Sequence, residues 1–121
     1  MVSLGGHRRI LVIDDDAAMR EALEEVLVEL GVEVVAAADG LEGLARLRGG
    51  RRFSAALVDM KMPRLDGEGF LRAVRADPLL RDLPVVTMTG DDAEPPLDVT
   101  AWLHKPFDLE ALARILASLG G

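Results

Sequence analysis

Asp59 is the residue whose surroundings point most directly to chemistry. A short apolar run, Ala55-Ala56-Leu57-Val58, ends on this single carboxylate, and Pro63 and Asp66-Gly67 then break the strand before a helix. An apolar strand ending in an acid and a loop is how α/β proteins carry chemistry at the carboxyl ends of their strands. Three further apolar runs end in a similar way. Arg9 to Ile13 leads into Asp14-Asp15-Asp16, Pro84 to Met88 into Thr89-Gly90, and Ala101 to His104 into Lys105-Pro106-Phe107. Were these strands parallel neighbours, Asp14, Asp15, Asp59, Thr89 and Lys105 would gather along one edge. Two carboxylates about 4 Å apart repel by roughly 4 kcal/mol at an effective dielectric near 20. A hard divalent cation resolves that repulsion, and all-oxygen ligation with open water positions suits Mg²⁺ or Mn²⁺. Such a cation also neutralises charge on a phosphoryl group in transfer. A carboxylate can attack phosphorus and form an acyl phosphate. The remaining phosphoryl oxygens then take a cation and a hydroxyl donor, roles that fit Lys105 and Thr89.

The elements that must position these residues follow from hydrophobic periodicity. Continuous rather than alternating hydrophobicity in Arg9 to Ile13 predicts a strand buried on both faces, as in a parallel sheet. Met19, Leu23, Val26, Leu27 and Leu30 share one helical face, which Gly31 stops. Val32 to Ala37 reads as the second strand. Asp39 caps a short helix with Leu41, Leu44, Ala45 and Leu47, ending at Gly49-Gly50. Ala55 to Val58 is the third strand. Asp66 or Gly67 opens a third helix with Phe70, Leu71 and Val74 inward, and Asp77-Pro78 ends it. Pro84 to Met88 and Ala101 to His104 are the fourth and fifth strands. Asp108 caps a last helix striped with Leu109, Leu112, Ile115, Leu116 and Leu119. The Leu and Val stripes are expected to be core. Strands alternating with helices predict a parallel sheet with right-handed crossovers and helices on both faces.

One crossover is abnormal. Only 12 residues separate Thr89 from Trp102, and they include Pro95-Pro96. A crossover with a helix needs about 10–12 residues in all, and the prolines leave no uninterrupted helical run. The expectation is an extended connection of at most one turn, with Trp102 filling part of the uncovered sheet.

Composition bounds the function. The chain of 121 residues fits one domain, expected to span residues 1–121 with a flexible tail over 1–8. Half the residues are hydrophobic, yet the aromatics are three phenylalanines and one tryptophan, so the core must be aliphatic. The absence of cysteine excludes disulfides and thiolate metal sites. No apolar run approaches a bilayer span, and Met1 to Arg9 lacks the apolar core of a signal peptide, so the expected location is cytoplasmic with no membrane contact. A net charge of −7 argues against direct nucleic-acid binding. Of 14 basic residues only Lys61 and Lys105 are lysine, and both fall in these strand-end loops, where a compact point charge is useful. His7 and His104 have no paired metal ligands in the pattern and read as incidental.

Taken in order, Leu11-Val12-Ile13-Asp14-Asp15-Asp16 with Met19-Arg20, Asp59-Met60-Lys61-Met62-Pro63 with Asp66-Gly67, Thr89-Gly90, and Lys105-Pro106-Phe107-Asp108 resemble the motifs of response-regulator receiver domains of two-component signalling. The resemblance covers nearly the whole chain and includes the single-domain chemotaxis regulator. It implies a flavodoxin-like doubly wound fold, a five-stranded parallel sheet of order 2-1-3-4-5, here with the fourth crossover helix shortened or absent. It implies that Asp59 is the phosphoacceptor, and that Asp15 and Asp59 bind Mg²⁺ with the backbone carbonyl of Lys61, Asp14 acting mainly through metal-bound water. Thr89 and Lys105 would contact the phosphoryl oxygens, and Trp102 takes the switch-aromatic position with Thr89. Two departures stand out: the short fourth crossover, in a region that forms much of the family's output and dimer face, and Trp where Tyr or Phe is usual.

The expected function is acceptance of a phosphoryl group from a histidine kinase or phosphotransfer protein, relayed by a changed contact with a downstream protein. The chain would not be an enzyme beyond its own phosphorylation and dephosphorylation. Uncovered sheet near Trp102 also makes a homodimer an expectation. Lys61 and Asp91, each two residues beyond a site residue, would pair across the mouth of the site and tune loss of phosphate. Two other classes compete. A haloacid-dehalogenase-type phosphohydrolase would use Asp14 of Asp14-Asp15-Asp16 as its nucleophile, but Ala17-Ala18 replace the residues that usually follow. A degenerate receiver would dock partners without phosphate or metal. The labelled residue separates the first, and Mg²⁺ affinity the second.

Overall fold

The computed structural model describes residues 8–90 and 99–119. Five strands, β1 (Arg9–Ile13), β2 (Glu33–Ala37), β3 (Ala55–Asp59), β4 (Val85–Thr89) and β5 (Ala101–His104), form one sheet in the order β2-β1-β3-β4-β5. All four pairings are parallel. Among the described residues there are four helices, α1 (Ala17–Glu29), α2 (Gly40–Leu47), α3 (Gly67–Ala76) and α4 (Leu109–Ser118). None of them is long and apolar enough to cross a membrane. The expected doubly wound topology and strand order are those observed.

Alternate residues of a strand point to opposite faces, and each face has its own core. On one face Leu23, Leu27 and Leu30 of the α1 segment and Leu112 and Leu116 of α4 pack on Ile10, Val12, Leu57, Val86, Met88 and Leu103. On the other, Leu44 and Leu47 of α2 and Phe70, Leu71 and Val74 of α3 pack on Leu11, Ile13, Ala56, Val58 and Val85. Right-handed crossovers require this division, because the chain reverses its direction across the sheet after β2. The reversal puts the topological switch point between β1 and β3, where open α/β sheets form their crevice. Asp14 follows β1 and Asp59 ends β3, so both acids stand at that point.

Each helix starts where the sequence supplies a carboxylate cap. Asp16, Asp39, Asp66 and Asp108 accept backbone N–H groups from the first turns of α1, α2, α3 and α4. The third acid of the N-terminal triplet therefore serves α1, not the cluster. Leu41, at 48% exposed, and Ala45, also exposed, depart from the expected core stripe. The buried face of α2 instead uses Gly40 and Gly43 beside Leu44 and Leu47, because the helix lies too close for side chains there.

Gly67 shows how tightly the loop after β3 closes. Its N–H donates to the Met60 carbonyl at 3.2 Å. A Cβ there would lie 2.7 Å from the Asp59 carbonyl oxygen and 2.8 Å from the Met60 Cα, backbone atoms that cannot swing aside. Gly67→Ala is expected to lower stability by about 2 kcal/mol, the scale of overpacking a filled site. A denaturant midpoint equal to wild type would contradict it.

Among the described residues no helix joins β4 to β5; positions 91–98 of that connection, including Asp91 of the expected Lys61 pair, lie outside the described residues. The expectation that Trp102 fills a gap is corrected. It is 49% exposed, because β5 is an edge strand whose Leu103 takes the inward position on one face while Trp102 points to the other.

Candidate functional site

Asp14, Asp15 and Asp59 each bring a carboxylate oxygen to within 4.8 Å of the others. Two are buried and Asp15 is exposed, so the cluster opens to solvent on the Asp15 side. Asp14, with no solvent exposure, is held from four directions. Its N–H donates to the Ala37 carbonyl at 3.2 Å. Its Oδ1 accepts the Asp16 N–H at 2.9 Å, and its Oδ2 accepts from Lys105 Nζ at 3.2 Å. Its carbonyl accepts from Arg20 Nη1 at 2.7 Å. The role of Arg20 was not legible beforehand: it stood in a motif without a function. An arginine one turn into a helix that starts at an acid cluster was the available signal.

Asp59 Oδ1 lies 3.7 Å from Lys105 Nζ and accepts the Lys61 N–H at 3.4 Å. Burial, together with Asp14 and Asp15 alongside, holds its carboxyl above the usual 3.8, against the opposing pull of Lys105 and the Lys61 amide. Three carboxylates thus gather at a partly buried site that Lys105 reaches with one ammonium group. Lys105 is carried to this position by β5, its N–H donating to the Thr89 carbonyl at 2.6 Å. Thr89, 8% exposed, ends β4 one residue past Met88, the ladder partner of Asp59. Thr89 pairs with His104 and Thr87 with Trp102, so Thr89 and Trp102 share a face one diagonal step apart. His104 is exposed at the strand end.

The arrangement brings Asp14, Asp15, Asp59, Thr89 and Lys105 to one edge, with Lys61 in the adjoining loop. Its donor set is oxygen only and its charge is negative, which fits a hard divalent cation. A model of the "Response regulator receiver domain" family matches residues 10–117. The chain belongs to the response regulator receiver domain family. Among curated relatives, the response regulators MprA of Mycobacterium sp. (strain KMS) and of Mycobacterium avium (strain 104) are each 42% identical over 118 residues. That match takes in 92% of this chain and 50% of theirs, so the receiver domain spans about half the length of those relatives. Among solved structures, the chemotaxis response regulator CheY4 of Vibrio cholerae is 31% identical with a TM-score of 0.85, covering 94% of this chain and 99% of that one. The receiver domain of sensor histidine kinase PA1611 from Pseudomonas aeruginosa PAO1 is 28% identical with a TM-score of 0.85, covering 96% and 100%. That receiver was solved with a magnesium ion coordinated in its active-site cleft.

Proposed function

We propose that this receiver domain takes a phosphoryl group from a histidine kinase or phosphotransfer protein onto Asp59, with Mg²⁺ as the cofactor. The observation that carries the reading is the acid cluster at the switch point: three carboxylates converge, Asp59 is held above its usual pKa, and one lysine bridges Asp14 and Asp59. Asp14, Asp15, Asp59 and the Lys61 carbonyl would hold the ion. When bound, the ion offsets the negative charge of the carboxylates and of the incoming phosphoryl oxygens. The chain's own groups do the rest. A carboxylate oxygen of Asp59 forms the new bond to phosphorus as the bond from phosphorus to the donor's imidazole nitrogen breaks, leaving an acyl phosphate. Lys105 turns from its carboxylate partners to the phosphoryl oxygens, and the Thr89 hydroxyl donates to another. Trp102, exposed one diagonal step from Thr89, is positioned to report that change at the edge of the sheet, where a downstream protein or a second copy would read it.

The hydrolase alternative is weakened by Asp14, whose carboxylate is fully buried, with the Asp16 N–H on Oδ1 and Lys105 on Oδ2, a poor setting for an in-line nucleophile. The deciding experiment is intact mass after incubation with Mg²⁺ and acetyl phosphate. Wild type is expected to gain one phosphoryl group, mapped to Asp59. No gain, with no Mg²⁺ binding, would overturn the proposal in favour of phosphate-independent docking, and label on Asp14 would favour the hydrolase.

A further inference from the structure

Arg64 is the one residue other than glycine with a left-handed backbone among the described residues, at φ 67°. That conformation is strained for a side chain with a Cβ and persists only where surrounding contacts impose it. Arg64 lies in the loop between β3 and α3, three residues past Lys61. Its Nε lies 3.1 Å from Asp39 Oδ2. Asp39 is 7% exposed, and its other oxygen accepts the Glu42 N–H at 2.9 Å to cap α2. The next residue along each segment repeats the link, since the Gly40 N–H donates to the Leu65 carbonyl at 3.1 Å. A Cβ on Gly40 would lie 2.5 Å from that carbonyl oxygen, so the two backbones are in direct contact. On its other side the same turn holds Asp14, through the Ala37 carbonyl.

Residues 37–40 therefore touch both acid-bearing segments: the end of β1, and the loop that carries Lys61. We propose that Asp39 and Arg64 are positioning residues, an ion-paired latch that holds the β3–α3 loop against the β2–α2 turn and so fixes the Lys61 carbonyl relative to the three carboxylates. Neither residue touches the cluster. The latch acts by holding a loop in a conformation it would otherwise leave, which keeps the metal site assembled before the ion arrives. This inference rests on the function proposed above and assigns two further residues to it.

Two variants test the latch without unfolding the domain. Asp39→Asn keeps a good cap for α2 and removes the charge. Arg64→Ala removes the ion pair and keeps the Cβ, and with it the backbone penalty that the pair holds in check. Mg²⁺ affinity by calorimetry and amide hydrogen exchange over residues 60–66 are read for both and for wild type. Each variant is expected to bind Mg²⁺ at least threefold more weakly and to exchange at least tenfold faster over 60–66. Protection in β1 and β3 should be unchanged. Arg64→Lys, which can still reach Asp39, should recover most of the affinity. Mg²⁺ affinity within twofold of wild type in both variants would overturn the proposal, even if exchange rises, since the pair would then be structural only. A wild type that binds no Mg²⁺ overturns both this inference and the function it rests on. One that binds Mg²⁺ but takes up no phosphoryl group overturns only the latter.

Discussion

Asp59→Asn is expected to abolish phosphoryl uptake and, in the same protein, to raise metal-free stability at neutral pH. The first effect follows from removing the attacking oxygen's charge. The second follows from the cost of keeping that charge in place. Burial first, then Asp14 and Asp15, raise the Asp59 pKa above 3.8, with Lys105 and the Lys61 amide opposing them. The folded protein thus holds this proton more tightly than the unfolded chain does. Stability falls as pH climbs from 3.8 through the raised value, and above that window the full penalty is present. Asparagine carries no charge at any of these pH values. The variant should be more stable than wild type at pH 7 by on the order of 1 kcal/mol, or about 3–6 °C in a domain of this size. The difference should shrink as pH falls and vanish below 3.8, where Asp59 is protonated folded or unfolded. Saturating Mg²⁺ should also close it, by stabilising wild type. Thermal melts across pH with and without Mg²⁺ measure both, and a metal-free variant less stable than wild type at pH 7 would contradict the account.

Lys105→Ala is expected to slow phosphorylation by acetyl phosphate by about 10²–10³-fold, the usual cost of losing one preorganised charge donor. Its effect on metal should run the other way. Lys105 Nζ stands 3.2 Å from Asp14 Oδ2 and 3.7 Å from Asp59 Oδ1, so it is the cation that already partly neutralises the cluster. Without it the acids repel one another more strongly. The metal-free protein should lose about 2–3 kcal/mol, less than a fully buried pair would because the lysine keeps 22% exposure. Mg²⁺ should then bind more tightly than to wild type, since no ammonium competes for the same oxygens. Slower phosphorylation with tighter metal binding is a combination that general unfolding cannot produce. Unchanged phosphorylation kinetics would remove Lys105 from the reaction.

Much of the fold was legible because its signals are local. Continuous apolar runs marked strands buried on both faces. Asp39, Asp66 and Asp108 marked helix starts through short-range hydrogen bonds. Alternation of strand and helix through the first four strands left a doubly wound parallel sheet. Leu41 and Trp102 were misjudged for one common reason: burial depends on what lies opposite. Leu41 was counted by periodicity, but α2 approaches its neighbours on its glycines. Trp102 was assigned to a gap, but an edge strand leaves its residue on that face half exposed.

The sequence by itself determined the chemical inventory: which strands end in Asp14, Asp15, Asp59, Thr89 and Lys105, and that so many acids need a cation. Tertiary structure alone decided how those groups divide the work. Asp16 turns away to cap α1, Arg20 folds back to the Asp14 carbonyl, and Lys105 bridges two carboxylates whose strands lie two and three ladder steps from its own. The Asp39–Arg64 pair joins loops 25 positions apart in the chain. Strand and cap signals act over a few residues and survive in a linear pattern. Contacts of a few ångströms between distant segments depend on register and loop path, which only the packed chain fixes.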